Sequence, residues 1–392
     1  MITKVEPTSL LDLSKDQLDV LLAGWGEPRY RSGQVWEWLY RRLAAHPAQM
    51  TNLPLALRQR LAEETRVDPL ETLYEQRSRD GQTVKWLFGL AGGVTVETVL
   101  MLYGDEEAPT EDEAKAPTRK RRTVCISTQA GCAMGCVFCA TGQSGLARNL
   151  TAGEIVAQVL AAARWLARED LSGLERPDRS EERLTNVVVM GMGEPLANYD
   201  HTWQALRTLT NGDGFNLGAR HITVSTVGLA PGIRRLTEET LQINLAVSLH
   251  APNDALRGKL APINTRYPIA EVMAAVRDYI GRTHRRVTFE YALMDGINDS
   301  PALARELAVL LRGLLCHVNL IPLNPVVESP YRPSPPERAT AFLSILEAHG
   351  IPATMRLRRG IDIDAGCGQL RRRLTDGAAQ PAQARRPALA GR

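Results

Sequence analysis

The residues best suited to chemistry are a run of cysteines. The chain has 392 residues and 6 cysteines. Four of them lie between Cys125 and Cys139. Within Gly131-Cys132-Ala133-Met134-Gly135-Cys136-Val137-Phe138-Cys139, three are spaced C-x3-C-x2-C. Clustered thiolates select soft metal centres: zinc, copper(I) or iron–sulfur. A closed zinc site needs a fourth ligand close by. The next histidine, however, is His201, and Cys316 and Cys367 are remote. Closed zinc sites also use paired CxxC knuckles more often than this spacing. Three ligands on a four-iron cluster instead leave one iron open to a small molecule.

The composition sets bounds on what such a site can belong to. With 44% hydrophobic and 23% charged residues, the chain reads as an ordinary globular protein of two or three domains. Met1 to Pro7 lacks the apolar stretch of a signal peptide, and no apolar run approaches membrane-spanning length. We therefore expect a cytosolic protein without membrane contact. Six cysteines in a chain this long do not suggest a disulfide scaffold, and a reducing compartment suits metal or catalytic thiols. The net charge of +3 permits a nucleic-acid partner without arguing for one.

Several elements must position the cysteines. Residues 1–65 read as helical. Ser14-Lys15-Asp16-Gln17 is a capping box opening a helix with Leu18, Leu21 and Leu22 on one side, stopped by Gly24. A second helix, near Gly33 to Arg42, mixes Val35, Trp36, Leu39 and Tyr40 with Arg29, Arg31, Arg41 and Arg42. Such a mixture suits RNA. An amphipathic helix with a solvated basic face is the simpler reading. Residues 66–103 alternate with period two. Asp80-Gly81 and Gly92-Gly93 mark turns between strands at Leu73–Arg79, Gln82–Gly89 and Val94–Leu102, a small antiparallel β connector. Glu97 sits in the last of these, where a carboxylate usually faces solvent. Residues 104–120 form an acidic-then-basic stretch broken by Pro109 and Pro117, expected to be a flexible linker. Residues 376–392 are expected to be a disordered tail.

Residues 121–375 alternate strand-like runs with helical stretches. The runs fall at Thr123–Ser127, Asn186–Met190, His221–Ser225, Ile243–Leu249, Val287–Leu293, His317–Leu320 and Ala353–Leu357. Thr151-Ala152-Gly153-Glu154 and Ser334-Pro335-Pro336-Glu337 read as capping boxes opening helices, with Pro335 at the first helical position. Such alternation predicts an α/β fold with a parallel sheet, open or closed into a partial (β/α) barrel. The polar motifs follow the strands, one loop after each. Gln129 to Cys132 follows the first, and Gly191-Met192-Gly193-Glu194-Pro195 the second. Thr226 to Gly228, His250 to Asn253, Asp295 to Asn298, and Pro322 to Pro325 follow the next four. Gly360 to Gly368, with Cys367, follows the last. Ligands bind at the carboxyl ends of parallel strands, so seven loops on one face predict one composite site.

The chain resembles the RlmN/Cfr family of radical S-adenosylmethionine (SAM) RNA methyltransferases, and the RlmN branch most. The resemblance rests on Gly131 to Gly142, Arg148-Asn149-Leu150-Thr151, Met190 to Asp200, Val224-Ser225-Thr226-Val227-Gly228, Val247-Ser248-Leu249-His250-Ala251 and Arg359 to Leu370. It implies a partial barrel of the radical SAM type with an N-terminal helical, RNA-binding domain. By resemblance, Cys132, Cys136 and Cys139 ligate a [4Fe-4S] cluster. Gly193 and Glu194 hold the SAM amino group, and Ser225, Ser248, Leu249, His250 and Asn324 supply further SAM contacts. Without the resemblance His250 would read as a strand-end histidine bonded to backbone.

The implied reaction is methylation of carbon 2 of an adenine in 23S rRNA (adenosine 2503) and in tRNA (adenosine 37). That carbon lies between two ring nitrogens and is too electron-poor to attack a sulfonium methyl. The resemblance implies that one SAM methylates Cys367 and a second yields a 5′-deoxyadenosyl radical that activates this methyl. Cys125 then resolves the protein–RNA adduct through a transient disulfide with Cys367, and Glu97 accepts the carbon-2 proton. A flavodoxin-type one-electron donor and a monomer are implied as well. Arg356, Arg358, Arg359, Arg371, Arg372 and Arg373 flank the Cys367 loop and are candidates for phosphate contacts at the rim. Cys316 matches no site and reads as core. The rival readings are methylation at carbon 8 of the same adenine and a non-catalytic RNA-binding iron–sulfur protein.

Overall fold

One ten-stranded sheet runs through the computed structural model, which describes residues 7–103, 121–168, 183–324, 329–356 and 359–370. Its strands are β1 (Glu71–Arg77), β2 (Thr83–Gly89), β3 (Thr95–Leu102), β4 (Arg122–Cys125), β5 (Asn186–Val189), β6 (Ile222–Thr226), β7 (Asn244–Ser248), β8 (Val287–Leu293), β9 (Cys316–Pro322) and β10 (Ala353–Met355). Each strand lies beside its neighbour in sequence. From β4 to β10 all pairings are parallel; from β1 to β4 they are antiparallel. The fold is thus α/β with a largely parallel sheet and an N-terminal helical region, as expected. The expected linker (104–120) and tail (376–392) lie outside the described residues.

The antiparallel meander extends the parallel sheet. In register, Val99 of β3 faces Cys125 of β4, and Cys125 faces Val188 of β5. This pairing carries Glu97 and Lys85 to the edge of the site. The turn residues Gly81 (φ 70°), Gly92 (φ 78°) and Gly93 (φ 69°) adopt positive φ, as hairpin turns between such strands require.

The helix Ala152–Arg168 begins at the expected capping box. Thr151 N–H donates to Glu154 Oε2 (3.0 Å) and Glu154 N–H to Thr151 Oγ1 (3.2 Å). Its apolar surface is buried almost all round. Gln158, fully buried inside it, accepts from Thr98 Oγ1 and from Ser127 N–H, both at 2.8 Å, and donates to Ser127 O at 2.9 Å. That one amide pins the helix, β3 and the loop after β4 together. The second expected capping box does not form. The helix runs Pro336–Ala348 with Pro335 as its cap residue. Ser334 Oγ instead donates to the buried Asp299 carboxylate at 2.6 Å, a stronger, charge-assisted partner.

The N-terminal helices run Lys15–Gly24, Tyr30–Tyr40 and Leu55–Glu64, and the Ser14–Gln17 capping box is present. They share one apolar cluster with the sheet, from Leu10, Trp36 and Leu39 through to Leu320 and Leu370. Polar ties reinforce this. Asp12 Oδ1 accepts from Gly153 N–H at 2.6 Å, and Arg164 donates to Leu43 O and pairs with Asp68. A smaller cluster of Phe138, Ala251, Leu260, Ala292, Met294 and Leu323 is separate from the main core. Among the described residues, no helix is long and apolar enough to cross a membrane.

Candidate active site

Cys125 ends β4, and Cys367 lies in the loop that follows β10. Both line one pocket with Tyr103, Asn324, Arg356 and an apolar wall of Val99, Met101, Val188, Met190 and Ile321. The pocket is narrow, about 40 Å³, and opens to solvent. Both cysteines are free thiols here. Burial, and then the neighbouring Cys367, push the Cys125 thiol up to about 12. Asn324 Nδ2 donates to the Cys367 carbonyl at 3.1 Å, while Asn324 Oδ1 is buried without a partner among the described residues. A Cβ on Gly366 would come within 2.6 Å of Asn324 Nδ2 and Gln369 Oε1, so only glycine lets this loop close over the asparagine.

The three-cysteine loop docks on the same segment. Ala140 N–H donates to Gly368 O and Thr141 Oγ1 to Leu370 O, both at 2.8 Å. Glycines permit its tight winding. A Cβ on Gly131 (φ 86°) would lie 1.9 Å from Gly145 O, and one on Gly142 would lie 2.9 Å from Cys136 N. Cys132 is buried, and Cys136 and Cys139 are half-buried. Burial, assisted by neighbouring thiols and Glu194, pushes the Cys132 thiol up to about 12 and Cys136 higher still. Three thiolates packed this way repel until a cationic centre offsets them, and the all-sulfur donor set fits an iron–sulfur cluster. Among the described residues, no three Cys, His, Asp or Glu side chains stand ready-gathered around a single metal position.

The residues expected to meet SAM sit at the ends of β6 and β7 and on the loops after β5, β7 and β9. Gly193 (φ 105°) packs against Gln129, whose Oε1 accepts from Glu194 N–H at 2.8 Å. Glu194 is 3% exposed. Its carboxylate accepts from Leu196 N–H (3.0 Å) and Val227 N–H (2.8 Å). Among the described residues it has no cationic partner within ion-pair distance, and burial pushes its carboxyl up to about 7. A buried carboxylate held by backbone and lacking a cation fits a ligand ammonium. Ser225 and Ser248 stand on adjacent strands with their hydroxyls 3.4 Å apart. Leu249 is fully buried and its N–H donates to Glu290 O, so its side chain is core. His250 is buried at φ 60°, its Nδ1 accepting from Ala292 N–H at 3.0 Å. Burial drops its pKa to about 3, so it is the neutral tautomer with the proton on Nε2. Its ring stands edge-on to Phe138, centroids 4.7 Å apart, and so braces the cysteine loop.

Three expectations need correcting. Glu97 does not face solvent: it is 7% exposed and its Oε1 pairs with Lys85 Nζ at 3.2 Å. It lies on an interior strand that is buried along its whole length from Thr95 to Met101. Arg356 is not at the rim but lines the pocket beside both cysteines. Arg359 is held within the fold, donating to Gln82 Oε1 at 2.6 Å and stacking over Tyr103 at 4.3 Å. Arg358, Arg371, Arg372 and Arg373 lie outside the described residues. Cys316 is core, as expected, at 4% exposure.

Sequence reasoning missed Lys85, which also donates to Asp364 O at 3.3 Å and so ties β2 to the Cys367 loop. It missed Arg257 too, a fully buried guanidinium that donates to Asn264 Oδ1 at 2.7 Å and to Val227 O. Each is a basic residue in an ordinary amphipathic stretch, and only long-range pairing reveals it.

Comparison with known proteins places this geometry. Residues 126–307 match the radical SAM superfamily, and residues 8–67 match the ribosomal RNA large subunit methyltransferase N-terminal domain. The chain is 52% identical over 375 residues to a probable dual-specificity RNA methyltransferase RlmN of Chloroflexus aurantiacus, covering 93% of each chain. It is 48% identical over 363 residues to the dual-specificity RNA methyltransferase RlmN 1 of Myxococcus xanthus, covering 93% of this chain and 94% of that one. A crystal structure of a radical SAM methyltransferase from Sphaerobacter thermophilus superposes with TM-score 0.85 at 53% identity, covering 94% of this chain and all of that one. Identity at this level, across both the cysteine-bearing sheet and the N-terminal helices, shows that the chain belongs to the RlmN family of radical SAM RNA methyltransferases.

Proposed function

We propose that the chain methylates carbon 2 of an adenine in 23S rRNA and in tRNA, carrying the transferred carbon on Cys367 and releasing it through Cys125. The observation that carries this reading is the placement of Cys125 and Cys367 in one pocket, which a binding module would not need. Similarity to dual-specificity RNA methyltransferases and to a ribosomal RNA large subunit methyltransferase N-terminal domain supports an RNA substrate.

Cys132, Cys136 and Cys139 would hold the [4Fe-4S] cluster, and Glu194, Ser225, Ser248 and Asn324 would hold SAM at its open side. When bound, the two supply a methyl group and the carbon-centred radical that a polar transfer to this carbon lacks. The Cys367 thiolate accepts the methyl and later carries it, bonded to the adenine, as a thioether. Glu97, or Cys125 itself, takes the carbon-2 proton. Attack of Cys125 on the Cys367 sulfur then frees the RNA. Covalent catalysis of this kind divides one inaccessible step into feasible ones. The apolar wall formed by Val99, Met101, Val188, Met190 and Ile321 keeps water from the reacting sulfurs. The target adenine enters by leaving its stack. Two SAM molecules are used per turnover. The reading is of a cytoplasmic, monomeric enzyme fed by a flavodoxin-type electron donor, with the N-terminal helices as a second RNA surface.

Anaerobic incubation with SAM, a reductant and an RNA fragment, followed by digestion to nucleosides and mass spectrometry, tests this. The expected product is 2-methyladenosine, lost in Cys367→Ala while SAM cleavage persists. Finding 8-methyladenosine, or retained methylation in Cys367→Ala, overturns it.

A further inference from the structure

Cys125 is poorly prepared to be a nucleophile. Burial pushes its thiol up to about 12, whereas thiol exchange and alkylation proceed through the thiolate. The surrounding Val99, Met101, Val188, Met190 and Ile321 offer a sulfur anion no solvation. A compensating positive charge must therefore come from the pocket itself. Among the described lining residues the cations are Arg356 and Arg359. Arg359 is committed elsewhere, to Gln82, the Leu102 carbonyl and the Tyr103 ring.

Arg356 is differently placed. Its backbone N–H donates to Leu320 O at 2.8 Å, which locks the end of β10 against β9. Its guanidinium makes no hydrogen bond or close ion pair with any described side chain, and it lines the pocket with both cysteines. The groups that face it are Cys367, Glu290, Tyr103 and Cys125, in falling order of their electrostatic effect on it. Glu290, on β8, is itself buried and accepts from Asn319 Nδ2 at 2.8 Å; burial pushes its carboxyl up and Arg356 draws it back. Arg356 in turn draws the Cys125 thiol down. In an apolar pocket such a charge acts far more strongly than in water.

We propose that Arg356 is a positioning residue that stabilises the thiolates of Cys367 and Cys125 when each reacts, and that it is not a phosphate contact. The proposal rests on the roles of these cysteines given above. At Cys367 the thiol proton leaves to solvent, and the sulfur pair forms a bond to the sulfonium methyl. The sulfonium's own C–S bond breaks onto its sulfur, leaving a neutral thioether. At Cys125 the proton again leaves to solvent, and the sulfur pair forms the S–S bond to Cys367. The Cys367 S–C bond breaks with its pair on the transferred carbon, which takes a proton. The two sulfurs are oxidised and that carbon is reduced. A fixed guanidinium favours the charged nucleophile in both steps and needs no proton of its own, since arginine stays charged.

The test uses the full chain with its cluster reconstituted, anaerobic, with Cys367 unmethylated and SAM absent. Alkylation of Cys367 and Cys125 by iodoacetamide is followed against pH by peptide mass spectrometry. Arg356→Gln is expected to slow alkylation of Cys367 at about pH 8 roughly tenfold. Arg356→Lys is expected to stay within about threefold of the unsubstituted chain. An unchanged or faster rate in Arg356→Gln overturns the proposal. Should Arg356→Gln expose buried Cys316 to the reagent, and so have unfolded, Arg356→Lys decides: near-normal alkylation supports the charge role and a tenfold loss refutes it. Adding SAM then asks a separate question. If the unsubstituted chain gains no methyl on Cys367, the functional reading fails whatever Arg356 does to the thiolate.

Discussion

Glu194 is a buried carboxylate that the fold holds at a cost. Its folded pKa of about 7 lies above the ordinary value, so folding favours the neutral form. The sign follows from linkage. Stability from this group is fully present below the ordinary carboxylate range and is lost as pH rises toward and through about 7. Replacing Glu194 by Gln removes that loss. Its thermal midpoint, relative to the unsubstituted chain without SAM, should therefore rise between about pH 5 and about pH 8, by the equivalent of about 1–3 kcal/mol. An equal difference at the two pH values would contradict a cation-seeking carboxylate. Glu194 and the three cysteines proposed as cluster ligands were visible in the sequence because motif chemistry packs them into short runs. Asn324 was legible only as a resemblance; its unpartnered oxygen needed the fold. Arg356 was misread because a basic stretch in sequence does not reveal which of its members turns inward.

At the scale of elements, strand–helix alternation and capping residues located the seven parallel strands to within two residues at each end. Val287–Leu293 was matched at both ends. The Ser334 box failed because Asp299, far off in sequence, competes for the hydroxyl. The meander was legible as three strands, but its pairing with β4 was not, and that pairing buries Glu97. Lys85 is the link that joins this meander to the Cys367 loop. Its ion pair with Glu97 has side chains only 11% and 10% exposed. Removing one member of such a pair leaves a buried charge to be satisfied otherwise, at about 3 kcal/mol. Lys85→Met is therefore expected to lower the thermal midpoint and slow methyl transfer, with Lys85→Arg recovering part of both. Normal melting and normal turnover in Lys85→Met would refute the link.

For the whole molecule, N-terminal helices, meander and parallel sheet share one apolar core. Periodicity reports which face of an element is buried but not what covers it, so this union was not readable residue by residue. Its consequence is that chain segments from both ends meet at one pocket: Cys125 from the start of the parallel sheet and Cys367 from its end. The central claim is that Cys367 carries the transferred carbon and Cys125 releases it. The direct measurement is gel analysis and peptide mass spectrometry of Cys125→Ala after anaerobic reaction with SAM, reductant and RNA. The account predicts a covalent protein–RNA adduct attached through Cys367. Free RNA alone, with no adduct at Cys367, would contradict it.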